Sequence, residues 1–163
     1  MSNIPRMSGT AILAQALERE HRQIDGGIER FISLLEETGT RDPVPLDAAL
    51  GGLRRHIYVE EAFLFPALRE AGMVMPILVM QREHGQLWDS IDAVERLQAE
   101  NAEDLVVVEA CRTLLSQLES HNAKEEPVIY AQADRVVSAQ ASDELRRFLD
   151  SGRLPDTWVP HEW

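Results

Sequence analysis

Two histidine and glutamate pairs with the same spacing are the residues of this sequence best suited to binding a metal. In each pair the glutamate follows the histidine by four positions, as in His56-x-x-x-Glu60 and His121-x-x-x-Glu125. Residues four apart lie on one face of a helix, so each pair can direct an imidazole nitrogen and a carboxylate to the same point in space. A single pair of this kind is more often structural than metal-binding.

A lone histidine precedes each pair at a similar distance. His21 lies 35 residues before His56, and His84 lies 37 residues before His121. The chain has five histidines, and four of them belong to this doubled pattern, which scattered composition does not explain. Four imidazoles and two carboxylates suit a dinuclear iron site held between four helices.

The ligand types and their charge favour iron at this site. Burying the carboxylates of Glu60 and Glu125 is costly unless a positive group compensates them. If each carboxylate bridges two metals, each metal also receives two histidines, and an oxo or hydroxo bridge brings it to about five of six preferred ligands. A position then stays open for a small molecule. Manganese and zinc are less favoured, since structural zinc is more often four-coordinate and uses cysteine.

Apolar residues recur at helical spacing in four segments, and every proposed ligand lies on an apolar face. This pattern predicts an all-α fold, an up-down four-helix bundle with a short extra C-terminal helix and an irregular tail. The first predicted helix covers about residues 10–38, and the second runs from Leu46 or Asp47 to about Glu70. The third begins near Met75 or Pro76, and the fourth follows a polar turn at 98–104.

The surroundings of the two pairs match each other and indicate an internal repeat. A glutamate precedes each lone histidine, and a second glutamate follows each motif glutamate. These glutamates are candidates for orienting the imidazoles, and solvated or salt-bridge roles are at least as compatible with the sequence. Pro66 and Pro127 follow the pairs at similar positions, and each is expected to bend or end its helix. The four glutamates are Glu20, Glu61, Glu83 and Glu126.

Three aromatic residues lie near the proposed ligands in sequence, and the pattern indicates a role in the site less strongly for them than for the ligands. Trp88 lies one turn after His84, where core packing is a better interpretation than lining a pocket. Tyr130 is a better candidate than Tyr58 for a hydrogen bond to a bound oxygen ligand. Tyr58 lies only two residues from His56, so its side chain is expected to point elsewhere.

Length and composition bound the remaining possibilities. The 163 residues, 44% of them apolar, predict a single domain over 1–163, with the bundle at about 10–135 and a short helix and tail at about 138–163. Ser138 or Ser142 is expected to cap the short helix, and Trp158 and Trp163 are expected to dock on the bundle. Cys111, the single cysteine, is expected in the core.

Charge and hydropathy point to a cytoplasmic protein. The net charge of −12 disfavours nucleic acid and membrane partners. No apolar run is long enough to cross a bilayer, and the N-terminus lacks a hydrophobic signal core. A protein partner or a homo-oligomer stays open. His161 has no matching partner in the repeat and is excluded as a ligand.

The ordered ligand pattern resembles the hemerythrin-like family of HHE cation-binding domains. The resemblance covers about residues 10–135 and includes Glu-Glu at the end of each pair and Leu-Phe-Pro at 64–66. It implies a four-helix bundle with a non-haem di-iron centre. The implied bridging carboxylates are Glu60 and Glu125, and the implied nitrogen ligands are His21, His56, His84 and His121.

The sequence differs from two groups of similar proteins in ways that bear on its activity. Oxygen-carrying hemerythrins, which this chain resembles, have a fifth histidine one turn from the third-helix ligand, where this sequence has Met80 and Trp88. Iron-sulfur-cluster repair proteins of the same superfamily share the four-histidine, two-glutamate pattern but usually carry an N-terminal domain with a cysteine pair. Neither group is matched in full.

The expected function is that of a small di-iron binding protein. It binds or senses a small diatomic ligand, dioxygen or nitric oxide, or responds to redox state, and it is a binding module more than an enzyme. The alternatives are a di-iron oxidoreductase, an iron donor for iron-sulfur cluster repair, and a metal site that only stabilises the fold.

Overall fold

The computed structural model describes residues 12–161, which form five helices joined by short turns and a C-terminal tail. No strand occurs within these residues, and the predicted all-α helical bundle is confirmed. Helix α1 is Ile12–Thr38, α3 is Val74–Ala99 and α5 is Ala139–Ser151. Helix α2 comprises Pro43–Val59, a π-helical turn Glu60–Leu64 and Phe65–Glu70. Helix α4 comprises Asp104–Glu125, a π-helical turn Glu126–Tyr130 and Ala131–Val136.

The start of α2 corrects the sequence prediction. The helix begins at Pro43, three or four positions before the expected start at Leu46 or Asp47. The side chain of Asp42 accepts a hydrogen bond from the backbone N–H of Val44 at 3.1 Å and caps the helix. Prolines are tolerated in a first helical turn because the N–H groups there have no partner within the helix. The segment Pro43-Val-Pro45 therefore forms the first turn of α2 and is not part of the loop between α1 and α2.

Short turns make two antiparallel hairpins, α1 with α2 and α3 with α4. Gly72 has a φ of 99° at the end of α2, a conformation that glycine adopts without steric cost, and α3 follows at Val74. Gly27 lets α1 and α2 approach closely, because a Cβ there would lie 2.8 Å from the carbonyl oxygen of Pro45. These contacts fix the spacing of the helices that carry the first two histidines.

The two prolines after the histidine and glutamate pairs do not end their helices. Each lies in or directly after a π-helical turn, Pro127 inside one and Pro66 just beyond the other. The N–H of Phe65 donates to the carbonyl oxygen of Glu60, five residues earlier, which is the π-helical hydrogen bond. Where the sequence predicted a bend or an end of the helix, the structure has a local π-helical bulge, and both helices continue beyond it.

The ligand candidates lie between two apolar clusters of the bundle. Along each helix, the buried apolar residues before and after the histidine belong to different clusters, except that Ile57 packs with the residues that precede His56. In α1, for example, Leu17 and Ile24 flank His21 and belong to different clusters. The six polar residues therefore form one layer that apolar packing encloses at both ends.

The C-terminal part of the chain packs on the bundle. Ser138 caps α5 by accepting a hydrogen bond from the N–H of Ala141 at 3.2 Å. The Trp158 ring meets the Trp88 ring edge-on at 5.5 Å between centroids and the Tyr58 ring at 5.0 Å. Docking of Trp158 is thus confirmed, whereas Trp163 lies outside the described residues. Among the helices of residues 12–161, none is long and apolar enough to cross a membrane.

Candidate metal centre

The bundle brings all six ligand candidates together in its interior. They form two groups that share both glutamates, and within each group the ligating atoms lie within 4.8 Å of one another. Every one of the six side chains is at most 4% exposed. The first group is His21, His56, Glu60 and Glu125, and the second is Glu60, His84, His121 and Glu125.

Each glutamate directs one oxygen to each group. For Glu60, Oε2 lies 3.1 Å from His56 Nε2, and Oε1 lies 2.9 Å from His84 Nε2. Glu125 has the same arrangement, with Oε1 at 3.2 Å from His21 Nε2 and Oε2 at 3.3 Å from His121 Nε2. Because two separate groups receive the two oxygens of one carboxylate, both glutamates have the placement of bridging ligands.

Among the residues that the structure describes, three buried polar atoms at the second group have no hydrogen-bond partner: Glu60 Oε1, His84 Nε2 and Glu125 Oε2. Glu60 Oε1 and His84 Nε2 are close to each other, but their geometry does not make a hydrogen bond. Buried polar atoms are rarely left unpaired because desolvation without a partner is costly. All three atoms can bind a metal through an electron pair, so the cluster fits a cation at this position.

A second set of glutamates holds the outward-facing nitrogens of the histidines. The Nδ1 atom of each histidine bonds to a carboxylate from a neighbouring helix, at distances between 2.7 and 3.1 Å. A hydrogen bond at Nδ1 fixes the ring orientation and leaves Nε2 free to face the site. The pairs are His21 with Glu126, His56 with Glu20, His84 with Glu61 and His121 with Glu83.

These four bonds form a closed ring around the bundle. The carboxylate from α1 reaches the histidine of α2, that of α2 reaches α3, that of α3 reaches α4, and that of α4 returns to α1. The four glutamates that the sequence left open between imidazole partners and solvated residues therefore all contact imidazoles. The two halves of the ring follow the internal repeat.

The buried carboxylates raise the basicity of His56, His84 and His121. Burial alone would lower the pKa of His56, but the charge of Glu60 and the bond to Glu20 outweigh it and raise that pKa to about 10. Burial is likewise outweighed at His121, where Glu125 and then Glu83 raise the pKa to about 9. The carboxylates around His84 raise its pKa well above the ordinary value, against burial.

The same contacts keep the two central carboxylates ionised. Burial would raise the pKa of Glu125, but His121 and the other imidazoles hold it well below its ordinary value. Burial and the charge of Glu125 oppose ionisation of Glu60, and His56 outweighs them, so its pKa is also lowered. The protein interior therefore stabilises negative charge at the position where a cation would be bound.

Tyr130 enters the first group, a role that sequence patterns barely signalled. Its hydroxyl oxygen lies 2.8 Å from His56 Nε2, 2.9 Å from His21 Nε2 and 2.9 Å from Glu125 Oε1, and it also contacts Glu60. Burial, followed by the charges of the two glutamates, raises the pKa of Tyr130 well above its ordinary value. The hydroxyl donates to the carboxylates at the centre of the cluster.

The π-helical turn explains this placement. In an α-helix of about 3.6 residues per turn, Tyr130 would be rotated by about 140° from Glu125, five positions earlier. The π-helical turn at Glu126–Tyr130 adds a residue to the turn and returns Tyr130 to the face of Glu125. The proline at position 127 was the only signal of irregularity in the sequence.

The other residues considered from the sequence lie away from the cluster. Trp88 is 8% exposed and packs under the Arg54 guanidinium and against Trp158, as core packing predicted. Tyr58 faces the C-terminal segment, and Cys111 is buried in an apolar cluster. His161 belongs to neither group of ligand candidates.

The tail nevertheless connects to the cluster through its backbone. The N–H of His161 donates to Glu61 Oε1 at 2.9 Å, and Glu61 Oε2 bonds to Nδ1 of His84 at 2.7 Å. One carboxylate thus links the tail to a ligand candidate. The sequence contained no pattern that signalled this contact, since it depends on how the tail folds back.

Comparison with known families places this arrangement among metal-binding bundles. The family model of the hemerythrin HHE cation binding domain matches residues 12–133, which include all six ligand candidates and most of α1 to α4. Comparison with curated proteins and with solved structures found no match. The buried histidine and glutamate cluster is compatible with the metal centre that such domains carry. The chain belongs to the hemerythrin HHE cation-binding domain family.

Proposed function

We propose that this protein holds two iron ions and binds or senses a small diatomic ligand, dioxygen or nitric oxide, or responds to redox state. The observation that carries the proposal is the pair of ligand groups that share Glu60 and Glu125, each carboxylate with one oxygen in each group. A single cation would occupy one group and leave the two histidines of the other without a bound metal. Two cations use every donor.

The donor set supports iron or manganese over structural zinc. It consists of imidazole nitrogens and carboxylate oxygens, and Cys111 lies in an apolar cluster outside both groups. Structural zinc more often uses four ligands that include thiolates, whereas four imidazoles with two shared carboxylates suit iron or manganese. Bound iron would supply reversible ligand binding or electron exchange with a diatomic molecule.

The residues around the donors perform three tasks. The outer glutamates hold each imidazole with Nε2 toward the centre, and the two shared carboxylates supply negative charge. The apolar clusters on both sides limit entry of water. A surface cavity of about 560 Å³ reaches Glu61, the carboxylate that holds His84, and offers a small molecule an approach to that side of the cluster.

Metal analysis combined with visible spectroscopy tests this function. Protein purified without added metal, or reconstituted with iron, is expected to contain two irons per chain. Its absorption is expected to change on reduction by dithionite and on exposure to air, and to shift with azide or nitric oxide. His121→Ala should lose iron, whereas His161→Ala is the matched control, because His161 belongs to neither ligand group and alanine keeps the backbone N–H that donates to Glu61.

Two other outcomes would point to different functions. Bound iron that does not respond to azide, nitric oxide or dioxygen would indicate a structural metal and contradict the sensing role. Rapid consumption of peroxide or nitric oxide would indicate an oxidoreductase. Iron loss in His161→Ala equal to that in His121→Ala would refute the assigned ligand set.

A further inference from the structure

The hydroxyl of Tyr130 lies at the centre of one ligand group. It contacts all four members of the group formed by His21, His56, Glu60 and Glu125, and the side chain is 1% exposed. An oxygen surrounded by two imidazole nitrogens and two carboxylates has the neighbours expected of another ligand to the same cation.

The internal repeat supplies a comparison within the same molecule. Tyr130 follows Glu125 by five positions, and Phe65 follows Glu60 by five positions. Both rings stack on a histidine with 5.3 Å between ring centroids, Tyr130 on His21 and Phe65 on His84. Packing at this position therefore needs an aromatic ring and does not need a hydroxyl.

The two ligand groups differ in the aromatic residue beside their metal-binding atoms, which is Tyr130 in one group and Phe65 in the other. In the group that holds Tyr130, the phenol oxygen contacts every member. In the group opposite Phe65, three donor atoms have no hydrogen-bond partner among the described residues: Glu60 Oε1, His84 Nε2 and Glu125 Oε2. A ring without a hydroxyl leaves that side of the cluster without a fifth protein donor.

We infer that Tyr130 coordinates, through its phenolate oxygen, the metal held by His21 and His56, which makes the two metal positions chemically different. Two imidazoles, two carboxylates and the phenolate supply five protein ligands at that position. The other position has two imidazoles and two carboxylates. The small molecule therefore binds on the His84 and His121 side. This inference rests on the proposed binding of iron.

Coordination requires a simple exchange at the oxygen. The O–H bond of Tyr130 breaks, a bond from oxygen to the metal forms, and the proton leaves to solvent. No electron is transferred, so neither an oxidant nor a reductant takes part in this step. The two neighbouring carboxylates, Glu60 and Glu125, already contact the hydroxyl and can pass its proton on.

Spectroscopy of the ferric protein tests the inference without an activity assay. A phenolate bound to ferric iron produces an intense visible charge-transfer band, and excitation into that band enhances the vibrations of the phenol ring in Raman spectra. The chain has two tyrosines, so only Tyr58 and Tyr130 can produce these signals. Wild-type protein and Tyr58→Phe are expected to show them, and Tyr130→Phe is expected to lose them while still binding iron.

Tyr130→Phe is a conservative variant, because Phe65 occupies the equivalent place in the other half of the repeat. Should that variant fold poorly, wild-type protein carrying ring-deuterated tyrosine is the second measurement, and the enhanced bands must shift to lower frequency. Iron-loaded wild-type protein without these bands overturns the inference and leaves iron binding intact, as do bands that persist in Tyr130→Phe. Wild-type protein that binds no iron overturns both proposals.

Discussion

Loading the metal-free protein with iron at neutral pH should release about four protons per chain, three from imidazoles and one from the Tyr130 hydroxyl. The pKa of His56 is about 10 and that of His121 is about 9, and the pKa of His84 is well above its ordinary value. These imidazoles are therefore protonated near neutrality, whereas a metal binds only neutral imidazole. The protons compensate Glu60 and Glu125 until a metal replaces them.

The number of protons sets the pH dependence of metal binding. Each proton released changes the logarithm of the apparent binding constant by about one per pH unit, which corresponds to about 1.4 kcal/mol. Release of about four protons makes full loading about ten-thousandfold more favourable for each pH unit, or about 5.5 kcal/mol. This slope applies below the lowest pKa of the four groups.

The assay is an anaerobic titration with ferrous iron in weak buffer containing a pH indicator, with iron added to buffer alone as the reference. The count should be the same at about pH 6.8 and about pH 7.5, since both lie well below the pKa of His121. Nitrogen NMR of the metal-free protein should show imidazolium at His56, His84 and His121. Release of fewer than one proton, with neutral imidazoles by NMR, would refute the charge balance.

The stability of the metal-free protein should show the opposite trend with pH. Histidines whose pKa is raised on folding stabilise the folded state fully below their unfolded pKa of about 6.5, and that stabilisation is lost as pH rises through the folded values. With His121 at about 9 and His56 at about 10, the free energy of unfolding should fall as pH rises from about 6.5 toward 10. Urea unfolding at several pH values measures this change.

Three further substitutions test individual contacts. Glu83→Ala should weaken metal affinity by about 10- to 100-fold, measured by competition with a chelator, and the exposed Glu95 provides the control Glu95→Ala. Asp134→Ala should lower the free energy of unfolding by about 1 kcal/mol in urea, because its carboxylate accepts from the first N–H groups of α1, and Asp134→Asn should cost less. Gly27→Ala should cost about 1 to 3 kcal/mol through steric overlap, whereas Gly26→Ala should be neutral or stabilising by up to about 1 kcal/mol.

Each of these substitutions has a result that contradicts its reasoning. Equal metal affinities of Glu83→Ala and Glu95→Ala, measured against a chelator, would mean that the bond from Glu83 to His121 Nδ1 does not hold the imidazole in place for the metal. An unchanged free energy of unfolding in Asp134→Ala would mean that water replaces the hydrogen bonds of Asp134 to the N–H groups of α1. A Gly27→Ala protein as stable as Gly26→Ala would mean that α1 and α2 separate without cost.

The sequence determined the ligand candidates and their helices because both depend on local spacing. Residues three and four apart share a helix face whatever the rest of the fold does, so the motif pairs and the apolar faces were predictable together. Burial of His56 and Glu60 followed from the same pattern. The boundary of α2 was wrong because proline at a helix start looks like a break until its cap, Asp42, is seen.

Tertiary structure decided the features that join distant parts of the chain. The ring of outer glutamates depends on which helices are neighbours, and Asp134 caps α1 from 121 positions away in sequence. The approach of Tyr130 to the cluster depends on a π-helical turn, which departs from the period that sequence patterns assume. Local spacing fixes which side chains share a face, but packing between helices fixes which of them meet, and the chemistry of this cluster depends on both.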